Sequence, residues 1–259
     1  MPLAPQHRIR PAPLLLLTAL AAGALVLSCT SQSSPDDRSR VVATVDGAPI
    51  VVPELRHFMR LHRAEVYNHF YQTHDATYDR DFWTTDFGDT TPLATLRRRS
   101  LQSAIRYKVQ QNMARNRGVD VTRHYDSLMA ERTRVNEKRA QHAEEGAPVF
   151  GAVQLTRRDY LSRVRDEMVN QTITVLSQTD FALTTSRLKA LYANRRPRHD
   201  SAQNEDERRA EPRAFNAFTS VYQRRYAKKR YKARIDSLTS SVSVRVDSAL
   251  LRKIQLDER

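Results

Sequence analysis

The 259 residues carry 43 Lys plus Arg against 29 Asp plus Glu, a formal net charge of +14, with one cysteine and only 6 glycines. A lone cysteine excludes a disulfide framework within the chain. The scarcity of glycine and the long polar–apolar periodic stretches argue for a helical globular domain against a sandwich or barrel. The basic balance asks for an anionic neighbour. Nucleic acid is disfavoured because the chain has no zinc-ligand spacing, no aromatic RNP-type strand and no helix-turn-helix signature.

The first elements describe export. Arg8 and Arg10 form a positive start, Pro13 through Leu27 is apolar, and Ser28 stands directly before Cys29. This pattern predicts a signal peptide over 1–28, too short to span a bilayer comfortably. The run Val26-Leu27-Ser28-Cys29 resembles the bacterial lipobox. That resemblance implies a diacylglycerol on the Cys29 thiol, cleavage before it, and a mature chain anchored to a lipid bilayer in the cell envelope. Thr30 is not the aspartate that often retains such proteins at an inner membrane. The implied destination is the outer membrane, facing the periplasm, in a cell with two membranes. Residues 29–40, with four serines, Pro35 and two aspartates after Cys29, form a flexible tether that cannot bury enough surface to fold.

Residues 41–259 hold the domain, about 220 residues and enough for one sizeable core or two small ones. Val41–Val45 and Ala48–Val52 are short runs around Asp46-Gly47, a strong hairpin signal, with Pro49 marking the return strand as short or at an edge. Pro53 opens a helix carrying Leu55, Phe58, Met59, His62, Val66 and Phe70 at helical spacing and ending near His74. An aromatic-rich connection runs from Asp75 to Asp89. Thr91 and Pro92 then cap a second helix with the stripe Leu93, Leu96, Leu101, Ala104, Ile105, Val109 and Met113, ending around Gly118.

From Thr122 to Glu145 the pattern predicts a mostly charged, solvated helical arm whose apolar face is Tyr125, Leu128, Met129 and Val135. Thr156 caps a helix to about Ser177, and Thr184 or Thr185 begins a short one that fails at Arg196-Pro197. Residues 195–212 are nearly without apolar side chains and read as a polar loop. A long basic helix follows from Pro212 to about Ser240, then a strand over Val242–Val246, then a short helix capped by Asp247 with Leu250, Leu251 and Ile254. The late strand is too short to stand alone and is expected to pair with Val41–Val45.

This order resembles the SurA and PrsA family of extracytoplasmic foldases. The resemblance rests on Val42-Ala43-Thr44-Val45-Asp46-Gly47 with Ile50 and Glu54-Leu55, on the helix from Leu101 to Gly118, and on the closing segment from Arg230-Tyr231 to Val246. It implies a mainly α, SurA N-terminal-like chaperone domain with a small sheet made by the N-terminal hairpin and a late C-terminal strand. In that family a parvulin-type prolyl isomerase domain is inserted before the long final helix. Such a domain needs roughly 90 residues, and the polar stretch here is far shorter. The expectation is therefore a non-catalytic member without cofactor, either a chaperone-like binder of exported chains or a structural or assembly subunit for one dedicated cell-envelope partner.

Two kinds of candidate site remain. The aromatic group Tyr67, Phe70, Tyr71, Tyr78, Phe82, Trp83 and Phe87 is a candidate surface for unfolded or partly folded exported proteins, with ordinary core as the competing reading. His57, His62, His69 and His74 lack the spacing of three or four residues that brings two imidazoles onto one ion. The dispersed aspartates from Asp75 to Asp89 lack the ligand pattern of an EF-hand. No metal site is expected, and the basic run Arg224 to Arg234 reads as the solvated face of a long helix.

Overall fold

The computed structural model describes residues 39–88, 90–122, 124–195 and 205–256. Cys29, the signal segment and most of the tether lie outside the described residues. The elements run β1 (Val41–Val45), β2 (Ala48–Val51), α1 (Val52–His74), α2 (Pro92–Arg115), α3 (Tyr125–Glu144), α4 (Arg157–Gln178), α5 (Thr185–Arg195), α6 (Glu205–Ser241), β3 (Val244–Val246) and α7 (Ser248–Lys253). The described residues are thus mainly helical with one small antiparallel sheet.

The hairpin turns where Asp46 and Gly47 both take positive φ, 45° and 76°, which is the backbone a tight primed turn requires. The sheet order is β2-β1-β3. Ala43, Thr44 and Val45 lie opposite Val246, Arg245 and Val244, so the late strand closes on the hairpin as expected. Two backbone bonds bracket that ladder, Asp46 N–H to the Ser243 carbonyl at 3.1 Å and Asp247 N–H to the Val42 carbonyl at 2.9 Å. Pro49 sits on β2, an outer strand, where its missing donor leaves no rung of an inner ladder unmade.

Side-chain caps set four helix starts, α5 among them, where Thr184 accepts from Arg187 N–H at 3.3 Å. Thr91 accepts from Ala94 N–H at 3.1 Å, Thr156 from Asp159 N–H at 3.2 Å, and Asp247 from Leu250 N–H at 2.8 Å. Around α2 pack α1, α4, α6, α7 and the hairpin. The core therefore gathers Val42, Val45, Ile50, Leu55, Met59, Val66, Leu96, Ala104, Leu176, Ile235 and Leu250 about this one helix. Since α2 is enclosed on several sides, it buries Thr95, Ser100, Lys108 and Gln111 as well as its apolar stripe.

Two boundaries differ from expectation. The long helix begins at Glu205, not Pro212, so part of the stretch expected as a polar loop is helical and Pro212 lies inside the helix. Glu, Arg and Ala are good helix formers and the acidic start Glu205-Asp206-Glu207 suits a helix N-terminus, although no apolar stripe advertises it. The late strand is also shorter than Val242–Val246. Val242 N–H still bonds the Leu238 carbonyl at 2.9 Å, so the last helical turn takes that residue.

Candidate functional site

On α1, Tyr67, Phe70 and Tyr71 fall at i, i+3 and i+4 and so share a face. The connection after α1 folds back over them. Tyr67 meets Tyr78 edge-on at 5.2 Å and Phe82 at 5.4 Å, Phe70 meets Phe87 at 5.2 Å, and Phe82 meets Trp83 at 5.0 Å. Contacts of this kind add about 0.5–1.5 kcal/mol each beyond burial. The structure therefore brings all seven aromatics together but divides their exposure. Phe70 and Phe82 are core, Tyr67, Trp83 and Phe87 are half-buried, and Tyr71 and Tyr78 remain 56% and 47% exposed. The Arg63 guanidinium lies over the Tyr78 and Trp83 rings and donates to the Tyr78 hydroxyl.

The other side chains weighed in the sequence have local work. His62 bridges Glu65 at 2.8 Å and Ser103 at 2.7 Å, latching α1 to α2. His74 stacks on Phe70. Asp79 accepts from Asp81 N–H and Asp86 from Gly88 N–H, each at 3.0 Å, so these carboxylates shape loop turns. Among the described residues no group of three His, Cys, Asp or Glu is placed to hold a metal ion.

A second assembly was not evident in the sequence. Glu54, His57, Phe58 and Leu61 recur on one face of α1 at i, i+3, i+4 and i+7, and Arg158, Leu161, Ser162 and Arg165 repeat that spacing on α4. With Tyr107 of α2 and Tyr125 and Leu128 of α3 they enclose a cavity of about 270 Å³. At its root Lys108 Nζ donates to Glu54 Oε1 at 2.9 Å, with side chains only 2% and 5% exposed. Burial pushes the Glu54 carboxyl above the usual range, against the opposing pull of Lys108 and the Val51 N–H. Its Oε2 is buried without a hydrogen-bond partner.

Beside that pair, His57 is buried, and its pKa falls from 6.5 to about 4. Desolvation is the main cause, and the positive charges of Arg60, Arg157, Arg165 and Arg158 act the same way. The imidazole is therefore neutral at neutral pH. Burial, with Glu54 second, pushes the Tyr107 hydroxyl far above its ordinary range, and burial raises that of Tyr125. Lys108 escaped sequence reasoning because it stands between Tyr107 and Val109 with the appearance of a solvated cation. Only the enclosure of α2 gives it Glu54.

Display of apolar side chains is concentrated elsewhere. The loop between α3 and α4 is pinned from the α3 side: Asn136 donates to the Leu155 carbonyl at 3.1 Å and accepts from its N–H at 2.8 Å. Arg139 donates to the Phe150 carbonyl at 2.7 Å and to that of Ala152 at 2.6 Å. On this fixed loop Phe150 is 89% exposed. No helix among the described residues is long and apolar enough to cross a membrane. No family model, curated protein or solved structure matches this chain.

Proposed function

We propose that the chain is a membrane-tethered, non-catalytic chaperone-like lipoprotein of the cell envelope that binds unfolded or partly folded exported proteins. The observation that carries this reading is the set of large apolar side chains left in water on a helical frame: Phe150, Val221, Tyr71 and Tyr78. A pinned loop that holds a phenylalanine in solvent forgoes roughly 2 kcal/mol of burial, which a binding surface recovers when a client covers it. Closure of β3 onto the hairpin is the arrangement that the SurA and PrsA resemblance implies, and it supports the same reading. So does the linker between α5 and α6: it spans residues 196–204, nine positions where an isomerase domain needs roughly 90.

Light scattering of several unrelated denatured proteins tests the proposal. Near-stoichiometric protein should suppress their aggregation, and Phe150→Ser should weaken that suppression while leaving the fold intact. Protection of no client, with one stoichiometric partner recovered from membranes, would instead make the chain a dedicated assembly subunit. Prolyl cis/trans exchange should stay at its spontaneous rate of tens to hundreds of seconds. The anchor is tested separately, since Cys29→Ala should abolish both fatty-acid labelling and membrane partition.

A further inference from the structure

We infer that the cavity between α1, α2, α3 and α4 is a binding site for a small organic carboxylate with an apolar body. The inference rests on the cavity alone and stands whether or not the chain is a holdase. Three features of the walls specify the ligand.

The first is an excess of arginine over acid in the lining. Lys108 is already paired with Glu54, leaving Arg158 and Arg165 at the cavity wall, with Arg60 and Arg157 adding to the field felt by His57. None of the acids of α4, Asp159, Asp166 and Glu167, lines the cavity. Asp159 accepts from the Thr156 hydroxyl at 2.7 Å, and Asp166 pairs with Arg165 through Nη2 at 3.3 Å and Nε at 3.4 Å, which leaves Arg158 as the stronger attraction for an anion. A cation is repelled from such a wall and an anion is attracted.

The second is a pair of buried polar atoms with nothing to bond, the Tyr125 hydroxyl, a donor, and Glu54 Oε2, an acceptor when ionised. The Tyr125 hydroxyl is buried without a partner, in a residue only 7% exposed. A buried donor left without an acceptor is costly, so a ligand oxygen placed there recovers that free energy. A carboxylate offers two acceptor oxygens and suits the planar fork of a guanidinium.

The third is shape. Phe58, Leu61, Leu128 and Leu161 supply an apolar wall, and about 270 Å³ lies at the small end of the range for ligand pockets. Inorganic phosphate would satisfy the arginines but waste that wall. A long acyl chain would not fit.

Calorimetry of the full chain with hexanoate, hexylammonium and inorganic phosphate tests the assignment. Hexanoate should bind at one site, phosphate at least tenfold more weakly, and hexylammonium not at all. Arg158→Gln and Arg165→Gln should each weaken hexanoate by about tenfold. Tyr125→Phe, which keeps the ring and deletes the hydroxyl, should weaken it severalfold. Leu161→Trp should fill the cavity and abolish binding, and Arg187→Gln on α5 should change nothing. The arginines lie at the rim, so their variants remain informative even if Leu161→Trp fails to fold. Absence of hexanoate binding at about 10 mM, equal binding of hexylammonium, or unchanged affinity in the Arg158→Gln/Arg165→Gln double variant would each overturn the inference.

Discussion

The pair α1 with α2 and the arm α3 are built from helices of similar length, 23 and 24 residues against 20, yet they are held by different forces. Eight residues of α1 and thirteen of α2 are buried, whereas α3 buries only Tyr125 and Leu128. Burial on that scale places α1 and α2 by packing, and the dry interior it makes can hold a charged pair. Two buried side chains cannot place a 20-residue helix. The α3 arm is rooted instead in a small cluster of Tyr125, Leu128, Tyr160 and Leu161, and its far end is tied by Asn136 and Arg139 to loop backbone. Disturbance of the first pair should therefore be global and costly, and disturbance of the arm local and small.

The largest effect should come from removing what closes the core. A chain ending at Thr239 loses β3, bares the outer edge of β1, and deletes Leu250 and Ile254, which are 5% and 3% exposed. Two buried aliphatic side chains alone stand for about 2–5 kcal/mol each, so the domain should unfold cooperatively at much lower urea or not fold at all. Wild-type melting of the truncated chain would detach the sheet from the core and remove the contrast with the arm.

Next in size is Lys108→Met, which leaves the Glu54 carboxylate buried and alone. Breaking such a pair from one side costs roughly 3–5 kcal/mol, while replacing both members by apolar groups is often neutral. Urea denaturation at pH 7 should show that loss for the single variant and recovery in Glu54→Leu/Lys108→Met. The deficit should also depend on pH. The carboxyl titrates higher in the folded chain than in the unfolded one, so its stabilising protonated form is complete below the ordinary carboxylate range and is lost as pH rises through the folded value. Equal deficits at pH 4 and pH 8 would contradict the buried, uncompensated charge.

Much of this architecture is legible in residues taken singly. Asp46-Gly47 announces the hairpin, Thr91, Thr156 and Asp247 announce helix starts, and the Val242–Val246 alternation needs a partner strand, which β1 supplies to Val244–Val246. What is not legible is whatever depends on a helix being enclosed from several sides. Lys108, Gln111 and Ser100 have the residue types of a surface, and their burial follows from the packing of distant segments on α2. The same holds for the cavity. Periodicity gives the α1 face of Glu54, His57, Phe58 and Leu61, but the opposing Arg158 and Arg165 come from about 100 residues later in the chain. The aromatic group was legible as a group, and the split between buried Phe82 and exposed Tyr78 was not, because loop closure decides it.

His57 sharpens the comparison at intermediate size, since it lies where the first pair faces the arm. Its pKa is about 4 folded against 6.5 when unperturbed. A lowered folded value means that the stability it contributes is present above about pH 6.5 and is lost as pH falls through 4, because the unfolded chain takes up the proton first. The wild type should lose on the order of 3 kcal/mol over that window beyond what His57→Gln loses. Thermal melts of both chains at pH 7 and pH 4 measure the difference. Parallel pH profiles would mean that the imidazole is hydrated and the arginines around it screened.

The smallest effect should be Arg139→Ala. The guanidinium bonds two loop carbonyls, and each hydrogen bond is worth about 0.5–1.5 kcal/mol net, yet neither carbonyl belongs to the α1–α2 core. A change of 1 kcal/mol in global stability would shift Tm by about 2–4 °C in a domain of this size. If the arm opens independently of the core, the shift should be smaller than that, while chymotrypsin cleavage after Phe150 accelerates several-fold and hydrogen exchange over residues 150–155 loses protection. Asn136→Ala should act alike, because it frees the Leu155 end of the same loop. The side chain of Phe150 would still be available to a client in both variants, but on a mobile loop, so aggregation suppression should weaken without vanishing as the ordering cost moves to the moment of binding. A fall in Tm beyond about 4 °C for Arg139→Ala would show that the arm unfolds with the core, and α3 would then be part of one cooperative unit with α1 and α2.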